Sequence, residues 1–222
     1  TSGSFKILFH NVGSLHLHIA DVASDYNVKA ADVNILVESA LCGNDNNALY
    51  EIPGFQLFRN NFLQNGPRTP YGTAVYAKDH AQLISQPLRC DYNDVEMTLL
   101  RVNQPVNSLH IVGIYRSTSK VTITRFIDAL RHLHSTVLDD PNIPVIILGD
   151  FNVNLNEKAS EKNTLCKYLM QEKHYVQLIN QFTTDYKTQI DHIYTNIPER
   201  VKNSGALESY FSDHKPIFAS LI

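Results

Sequence analysis

Short apolar runs of four to seven residues recur along the whole chain, and they constrain its fold more than any other feature. Runs of this length, bounded by polar, Gly or Pro residues, are typical of β-strands. Strands are predicted at Phe5–Phe9, Val33–Val37, Phe55–Phe58, Thr73–Tyr76, Leu99–Val102, Leu109–Tyr115, Val145–Leu148, Ile190–Tyr194 and Pro216–Leu221. Apolar residues at helical spacing predict a helix within Ser119–Asp139 and weaker helices within Ser14–Ala30 and Glu161–Tyr175.

The order of these elements indicates the fold class. Strands and helices alternate at both ends of the chain, and the middle resembles a strand meander. This mixture predicts an α/β protein with two layers of sheet covered by helices. No composition shift or internal repeat divides the chain, so residues 5–222 are interpreted as one domain. The first four residues, Thr1–Ser4, are interpreted as a linker or an engineered remnant.

Composition excludes some classes of protein. No apolar run reaches the roughly 18 residues that a membrane-spanning helix needs, so we expect no membrane partner. The net charge of -3 argues against a uniformly basic DNA-binding surface. However, acidic residues gathered at a metal site can mask a basic rim in the total. Cys42, Cys90 and Cys166 have no metal-ligand spacing, which suits reduced thiols in an intracellular compartment.

The strongest motif is the segment Val145–Asn152, an apolar run that ends in Gly-Asp-Phe-Asn. A strand that stops there delivers the Asp150 carboxylate and the Asn152 amide to the edge of a sheet. Further along the chain, Asp191 interrupts an apolar, strand-like stretch. A lone buried Asp is unfavourable, so Asp191 should have a partner. Each motif taken alone is equally explained by an ordinary turn or a solvated strand residue.

Other polar residues also stand at the ends of predicted strands. They are Asn11, Glu38, Tyr115 with Arg116, and Ser212 with Asp213 and His214. Taken singly, each has an ordinary structural explanation as a turn or a surface residue. Taken together, acids, amides and imidazoles arriving at one edge are hard to explain by packing. Carboxylate oxygens suit a hard cation such as Mg²⁺, and no Cys/His cluster indicates zinc.

In this combination the sequence resembles the endonuclease/exonuclease/phosphatase family. The resemblance rests on Gly149–Asn152, followed by Ile190-Asp-His and Ser212-Asp-His, and it extends from Ile7 to Leu221. The segments Gly72–Tyr76 and Gln189–Asn196 resemble the endonucleases of non-LTR retrotransposons and Helitron-type elements. The resemblance implies a four-layered α/β sandwich, with two packed mixed β-sheets flanked by helices and the site at one rim.

The resemblance also implies roles for the residues around a metal ion. Glu38 resembles the ligand of a Mg²⁺ ion, for which Mn²⁺ can substitute, and Asn11 and Asp213 resemble helping ligands. Asp150 resembles the residue that orients or deprotonates the attacking water. Asn152 resembles the residue that positions this water or the phosphate. Gly13 stands where abasic-site enzymes often have another acid, which puts a second metal contact in doubt.

A second group of residues resembles the phosphate-binding part of these sites. His214 resembles the phosphate-binding imidazole, and Asp191 resembles its carboxylate partner. Tyr115 resembles a phosphate-contacting phenol. Either Thr183 or Thr184 resembles the threonine beside the scissile group, but many retrotransposon relatives have arginine where Thr184 stands, so this assignment stays open. All of these residues lie at or beside predicted strand ends.

The sequence therefore predicts a metal-dependent DNA endonuclease, the target-cleaving domain of a mobile element within a larger polypeptide. It would be intracellular, and nuclear when it acts on host DNA. A lipid or inositol phosphoesterase and a catalytically inactive binding module are the alternatives. Arg116 and Ser212 are further candidates for substrate binding, and Arg59, Arg68 and Lys120 join Arg116 as candidate DNA-phosphate contacts.

Overall fold

Two six-stranded sheets form the centre of the protein, whose computed structural model describes residues 4–61, 67–103 and 108–222. The first sheet has the order β11-β12-β1-β2-β4-β3. Its strands are β1 (Phe5–Asn11), β2 (Val33–Val37), β3 (Gln56–Asn60), β4 (Thr73–Ala77), β11 (Val201–Ala206) and β12 (Ile217–Leu221). The predicted linker at Thr1–Ser4 lies outside the described residues except for Ser4, which is exposed.

The second sheet has the order β5-β6-β7-β8-β10-β9. Its strands are β5 (Leu88–Arg89), β6 (Glu96–Val102), β7 (Leu109–Tyr115), β8 (Val145–Asp150), β9 (Val176–Gln177) and β10 (Asp191–Thr195). β1 and β2 are parallel, as are β7 and β8, and the other described pairs are antiparallel. Both sheets are therefore mixed.

The two sheets pack face to face through a shared apolar core. Ile7 and Ile35 from the first sheet contribute to the same buried cluster as Ile146 and Leu148 from the second. The sheets approach so closely at Gly113 that a Cβ there would lie 2.6 Å from Cγ2 of Ile35. Removing a buried Leu or Ile side chain from such a core typically costs about 2–5 kcal/mol.

Helices cover the two outer faces. They are α1 (Leu15–Ser24), α2 (Tyr26–Ala30), α3 (Ile123–Thr136) and α4 (Ser160–Cys166), the last continuing into a π-helical segment, Lys167–Glu172. Short 3₁₀ turns lie at Asn47–Tyr50, Asp79–Ala81 and Pro198–Arg200. Buried residues of α3 join a cluster with the outer face of the second sheet, and those of α1 and α2 join one with the first. The predicted four-layered α/β sandwich is confirmed.

Capping explains where the helices begin. The side chain of Thr122 accepts the Arg125 N–H at the start of α3, and that of Ser14 accepts the Leu17 N–H at the start of α1. The predicted helix within Ser14–Ala30 is divided at Asp25, which adopts an extended backbone and caps α2 through its own side chain. Among the described residues, no helix has the length and apolar character needed to span a membrane.

Candidate active site

Strand directions bring the predicted site residues to one edge of the sandwich. The parallel pairs β1/β2 and β7/β8 end together, which places Asn11 beside Val37 and Tyr115 beside Asp150. β10 runs antiparallel to β8, so that its first residue, Asp191, pairs with Asp150. β12 runs antiparallel to β1, and the segment before β12 therefore brings His214 to the same edge. Residues distant in sequence thus meet because the strand ends meet.

Asn11 connects the acidic groups of the two sheets. Its Nδ2 donates to Glu38 Oε1 at 3.0 Å and to Asp150 Oδ2 at 3.0 Å. Its Oδ1 accepts the Gly13 N–H at 3.1 Å. Gly13 has a φ of 64°, a left-handed conformation that favours glycine. One amide group therefore fixes two carboxylates, while its own oxygen is held by the turn that follows β1.

Asp150, Asp191 and His214 form a compact cluster. One potential ligand atom from each residue lies within 4.8 Å of the others. His214 Nδ1 lies 3.0 and 3.2 Å from the two carboxylate oxygens of Asp191, and His214 Nε2 lies 3.8 Å from Asp150 Oδ2. Because an ionised carboxylate only accepts hydrogen bonds, Nδ1 carries a proton and donates it to Asp191. Nε2 is then directed toward Asp150.

Burial makes the electrostatics of this cluster strong. Both aspartates are 1% exposed. Burial raises the pKa of Asp150 well above its ordinary value, and the nearby Asp191 carboxylate raises it further. Burial alone lowers the pKa of His214, but the hydrogen bond and charge of Asp191, assisted by Asp150 and Asp213, outweigh it and raise the pKa to about 10. His214 is therefore an imidazolium at neutral pH.

Neighbouring backbone contacts hold His214 in place. Ser212 Oγ donates to the Asn11 carbonyl at 2.7 Å and accepts the His214 N–H at 3.2 Å. His10 Nε2 contacts the His214 carbonyl at 2.9 Å. Burial lowers the pKa of His10 to about 4, so this ring is neutral and donates through Nε2. The segment before β12 is therefore attached to the end of β1 at two points, through Asn11 and His10.

Comparison with known proteins identifies the family. Residues 9–214 match the Endonuclease/Exonuclease/phosphatase family. The chain belongs to this family. None of the curated proteins matches the chain significantly.

Solved structures of the same fold have several activities. An AP endonuclease from Leishmania major has a TM-score of 0.73 and 17% identity, with 99% of this chain and 88% of that chain covered. The endonuclease domain of TRAS1, a telomere-specific non-LTR retrotransposon, has a TM-score of 0.72 and 14% identity, covering 98% of each chain. A mannosyl-6-phosphatase from Bacteroides thetaiotaomicron has a TM-score of 0.70 and 12% identity, with 99% and 100% covered. At these identities the likeness establishes the fold alone.

The donor set of this endonuclease/exonuclease/phosphatase site fits a hard cation. Glu38 and Asp150 offer carboxylate oxygens on either side of the Asn11 amide. Asp150, Asp191 and His214 also lie close enough to share an ion. However, Asp191 holds His214 in the protonated form, which repels a cation. Glu38, beside Asp150, is therefore the carboxylate that could hold a divalent cation, and oxygen donors of this kind suit a hard ion.

Asp213 lies apart from the acidic cluster. Its side chain is exposed, and its backbone carbonyl accepts the Asp185 N–H at 3.0 Å. Among the described residues, Asp213 is not part of the compact group of Asp150, Asp191 and His214, and no hydrogen bond joins its side chain to Glu38 or Asn11. The geometry therefore gives no support to Asp213 as a metal ligand, and its charge acts on His214 instead.

Asn152 and Tyr115 lie on opposite sides of Asp150. Asn152 has a φ of 50°, its N–H donates to Asp150 Oδ1 at 3.1 Å, and its Nδ2 donates to the Arg116 carbonyl at 2.9 Å. Tyr115 is buried, and its hydroxyl is hydrogen-bonded with Glu38. Burial and the Glu38 charge raise the pKa of Tyr115, so it stays a neutral phenol. Both side chains can therefore orient groups held between Glu38 and Asp150.

The two candidate threonines are structural rather than exposed to substrate. Thr183 is 0% exposed, and its Oγ1 accepts the N–H groups of Ile190 and Asp191, each at 3.1 Å. Thr184 is also buried, and its Oγ1 lies 2.6 Å from Oγ1 of Thr188. The Thr183 hydroxyl holds the start of β10 and so positions Asp191, and these contacts give no support to a place for Thr183 or Thr184 beside the scissile group.

Arg116, a candidate for phosphate binding, is enclosed by other parts of the chain. Its side chain is 2% exposed and donates to the Val121 and Phe151 carbonyls at 3.0 and 3.3 Å. It also forms an ion pair with Glu161 at 3.1 Å. A guanidinium so enclosed cannot contact a DNA phosphate. It joins the end of β7 to the loop after β8 and to α4. Buried carbonyl groups in these segments need hydrogen-bond donors, and the guanidinium supplies them.

Two features lie beside the site: sequence reasoning missed Glu96, and it named Lys120 as a candidate phosphate contact without its aromatic neighbour Tyr71. Glu96, at the start of β6, is a buried carboxylate directly opposite Tyr115 in the β6/β7 register. Lys120 is exposed, and its Nζ lies 3.9 Å from the centre of the Tyr71 ring, which in turn packs against Tyr115. The available signal for Glu96 was an acidic residue between the apolar Val95 and Met97.

Proposed function

We propose that the chain is a Mg²⁺- or Mn²⁺-dependent DNA endonuclease that nicks one strand and leaves 5′-phosphate and 3′-hydroxyl ends. The observation that carries the proposal is the arrangement of charge at the strand ends. Asp191 holds His214 as a cation beside Asp150, and Asn11 links Asp150 to Glu38. A base, a positive group and an oxygen-ligand position for a cation are the elements that phosphodiester hydrolysis requires.

Each residue has a distinct part in the proposed reaction. Asp150 accepts a proton from the attacking water as the water oxygen forms its bond to phosphorus and the bond to the 3′ oxygen breaks, and the departing 3′ oxygen takes up a proton from solvent water to become the hydroxyl. His214 donates through Nε2 to a phosphate oxygen, where negative charge increases in the transition state. Asn152 orients the water. A cation held by Glu38 would supply Lewis-acid stabilisation of the phosphate charge.

The surroundings of the site favour DNA as the substrate. Lys120 and Tyr71 form a cationic and aromatic rim next to Tyr115. Burial raises the pKa of Tyr71, but hydrogen bonds with Ser117, Lys120 and Ser119 outweigh it and lower the pKa, which indicates a polar cluster. On the other side, Tyr186 and Tyr210 are exposed within a few residues of Thr184 and Ser212. Exposed aromatic rings and a cation beside a reactive site suit nucleic-acid contacts.

The wider setting of the activity is part of the same proposal. The chain would be the target-DNA-cleaving domain of a mobile element, carried within a larger polypeptide and acting in the nucleus on host DNA. The motifs Gly72–Tyr76 and Gln189–Asn196 support this reading. The TRAS1 endonuclease domain, with its similar fold, is consistent with it.

A comparison of substrates tests the proposal. Supercoiled plasmid, a sugar phosphate, an inositol phosphate and a lipid phosphodiester are incubated separately with the protein and Mg²⁺. We expect plasmid to become open circular, with nicks that DNA ligase reseals because the ends are 5′-phosphate and 3′-hydroxyl. Hydrolysis of a small phosphoester with intact plasmid would instead establish the phosphoesterase alternative. Binding of DNA without turnover of any substrate would indicate an inactive binding module.

We also expect Lys120→Ala to weaken the binding of unrelated DNA sequences about equally. Loss of one phosphate contact should reduce the slope of log K against log salt concentration by about 0.9. Lys202→Ala is the matched control, since Lys202 is an exposed lysine at the start of β11, the end of the strand away from the site. Binding is measured by fluorescence anisotropy across a salt series. Equal slopes for Lys120→Ala and wild type would place the DNA path elsewhere.

Arg59 and Arg68 are weaker candidates for phosphate contacts than Lys120. Arg68 forms two hydrogen bonds of 2.7 Å with the Asp45 carboxylate. Arg59 donates to the Asp45 carbonyl at 3.1 Å. Since Asp45 offsets the Arg68 charge, we expect replacement of Arg68 to change the salt slope less than replacement of Lys120.

A further inference from the structure

Glu96 is a buried carboxylate that the proposed reaction leaves without a role. It is 7% exposed, and its Oε2 accepts the Gly72 N–H at 2.8 Å. Its Oε1 is buried and has no hydrogen-bond partner within the described parts of the chain. Burial of a carboxylate with one oxygen unpaired is unfavourable. Stability therefore does not explain this carboxylate, and its role is sought in its contact with Gly72.

The Gly72 contact leads directly to Glu38. The Gly72 carbonyl accepts the Ser39 N–H at 3.0 Å, and the Tyr71 carbonyl accepts the Ala40 N–H at 3.0 Å. The segment Tyr71–Gly72 therefore runs alongside the turn that follows β2. Glu96 belongs to β6 in the second sheet and binds this segment, whereas the turn follows β2 in the first sheet. The hydrogen bond from Gly72 to Glu96, here called the clamp, thus joins the two sheets next to the turn in which Glu38 lies.

The turn that it supports is strained. Glu38 and Ala40 have φ values of 51° and 54°, in the left-handed region that residues with a Cβ seldom adopt. Such a conformation persists only when surrounding contacts hold it. The two hydrogen bonds from Tyr71 and Gly72 are contacts of this kind. In this conformation Glu38 Oε1 accepts a hydrogen bond from Asn11 Nδ2, the same amide nitrogen that donates to Asp150.

We propose that Glu96 is a positioning residue for Glu38: by holding Gly72, it fixes the strained turn and so sets the affinity of the site for a divalent cation. This inference rests on the proposed function, because it takes Glu38 as the cation ligand. Glu96 does not touch the reacting atoms. Its effect depends on the reach and hydrogen-bond acceptance of its side chain rather than on its charge.

The ionisation state of Glu96 is consistent with this role. Burial raises the pKa of Glu96 to about 7, against the Gly72 hydrogen bond, which lowers it. Charged and neutral forms therefore both exist near neutral pH. An oxygen is available to accept the Gly72 N–H in either form. The clamp should consequently survive replacement of the carboxylate by an amide of the same length.

Two conservative variants separate reach from charge. Glu96→Gln keeps the length and an acceptor oxygen but removes the charge. Glu96→Asp keeps the charge but is one methylene shorter, so that it no longer reaches Gly72. Thr98→Val is the matched control, because it removes a part-buried hydrogen bond of 2.8 Å from Asn60 to Thr98, which also joins the two sheets but involves neither Gly72 nor the residues of the Glu38 turn. All are compared by circular dichroism and thermal melting.

Cation affinity is the deciding measurement. Binding of Mn²⁺ is titrated by electron paramagnetic resonance in the absence of DNA. We expect Glu96→Asp to raise the Kd for Mn²⁺ by about tenfold, a change in the range typical of losing one hydrogen bond to a charged group. Glu96→Gln and Thr98→Val should stay within about twofold of wild type on the same grounds.

Two Mn²⁺-binding results would contradict the proposed role of Glu96. Wild-type affinity in Glu96→Asp, or a loss in Glu96→Gln as large as in Glu96→Asp, would overturn the positioning role. Glu38→Ala is included to separate this inference from the proposed function. If Glu38→Ala binds Mn²⁺ as wild type does, the cation site itself has been misplaced. If only Glu38→Ala loses affinity, the cation site stands and the role of Glu96 is wrong.

Discussion

Replacing Asp150 with alanine should reduce the rate of plasmid nicking by at least about a hundredfold, the smallest contribution typical of a general base. Burial and the nearby Asp191 raise the pKa of the Asp150 carboxyl group, which makes its ionised form a stronger proton acceptor than an ordinary aspartate. The fold should survive the change, since removing a buried acid beside Asp191 relieves electrostatic repulsion. Single-turnover nicking and thermal melting are measured together.

The control for this variant is Asp213→Ala. Asp213 is an exposed carboxylate next to His214, outside the group that can share an ion. We expect it to nick DNA at close to the wild-type rate. A folded Asp150→Ala protein that nicks as fast as wild type would remove Asp150 from the mechanism.

Replacing His214 with alanine should have an effect of similar size. Removing one preorganised donor to a developing charge typically lowers a rate by about a hundred- to a thousandfold. Because Asp191 acts through His214, the double variant Asp191→Asn/His214→Ala should be no slower than His214→Ala alone. Additive losses in the double variant would show that Asp191 acts independently of the imidazole.

The dependence of the nicking rate on pH also tests the interaction between Asp191 and His214. In the wild-type protein the Asp191 carboxylate raises the pKa of His214 to about 10, so the imidazolium persists through neutral pH. In Asp191→Asn the two largest influences that raise this pKa are lost, and burial, which lowers it, is opposed only by the charges of Asp150 and Asp213. Nicking by Asp191→Asn should therefore fall as pH rises from about 6 to 8, around the ordinary histidine pKa, while wild type keeps its activity. Parallel profiles would contradict the charged state of His214.

Much of the fold followed from the apolar runs. The buried strands β1, β2, β4, β7, β8 and β10 begin and end within a few residues of the predicted runs, because burial on both faces demands continuous apolar sequence. The strand β11 was missed, since its residues Val201–Ala206 are mostly polar and partly exposed at a sheet edge. β6 begins at Glu96, three residues before the predicted strand, because an acidic residue interrupts the apolar pattern there.

The candidate site shows where sequence reasoning ends. Strand ends and their directions were enough to bring Asn11, Glu38, Asp150, Asp191 and His214 to one edge. Position in a strand does not reveal which side chains are enclosed after folding. Which side chains are enclosed depends on how elements distant in sequence pack against one another.

Arg116 and Thr183 illustrate this limit. Both follow apolar or turn-forming segments, and both were predicted to face the substrate. Carbonyl groups and an acid from three different segments enclose Arg116. The start of β10 occupies the Thr183 hydroxyl. Neither set of contacts is visible in local sequence, because the partners lie up to 45 residues away.

Metal-dependent hydrolysis of DNA by this cluster is tested directly by a plasmid-nicking assay. Supercoiled plasmid is incubated with the protein in Mg²⁺, in Mn²⁺, and in EDTA. We expect open circular product with either cation and none with the chelator, because a hard oxygen-ligand site requires such an ion. Full nicking in EDTA would contradict metal-dependent hydrolysis of DNA at this site. Plasmid that a correctly folded protein leaves intact with both cations would contradict it as well.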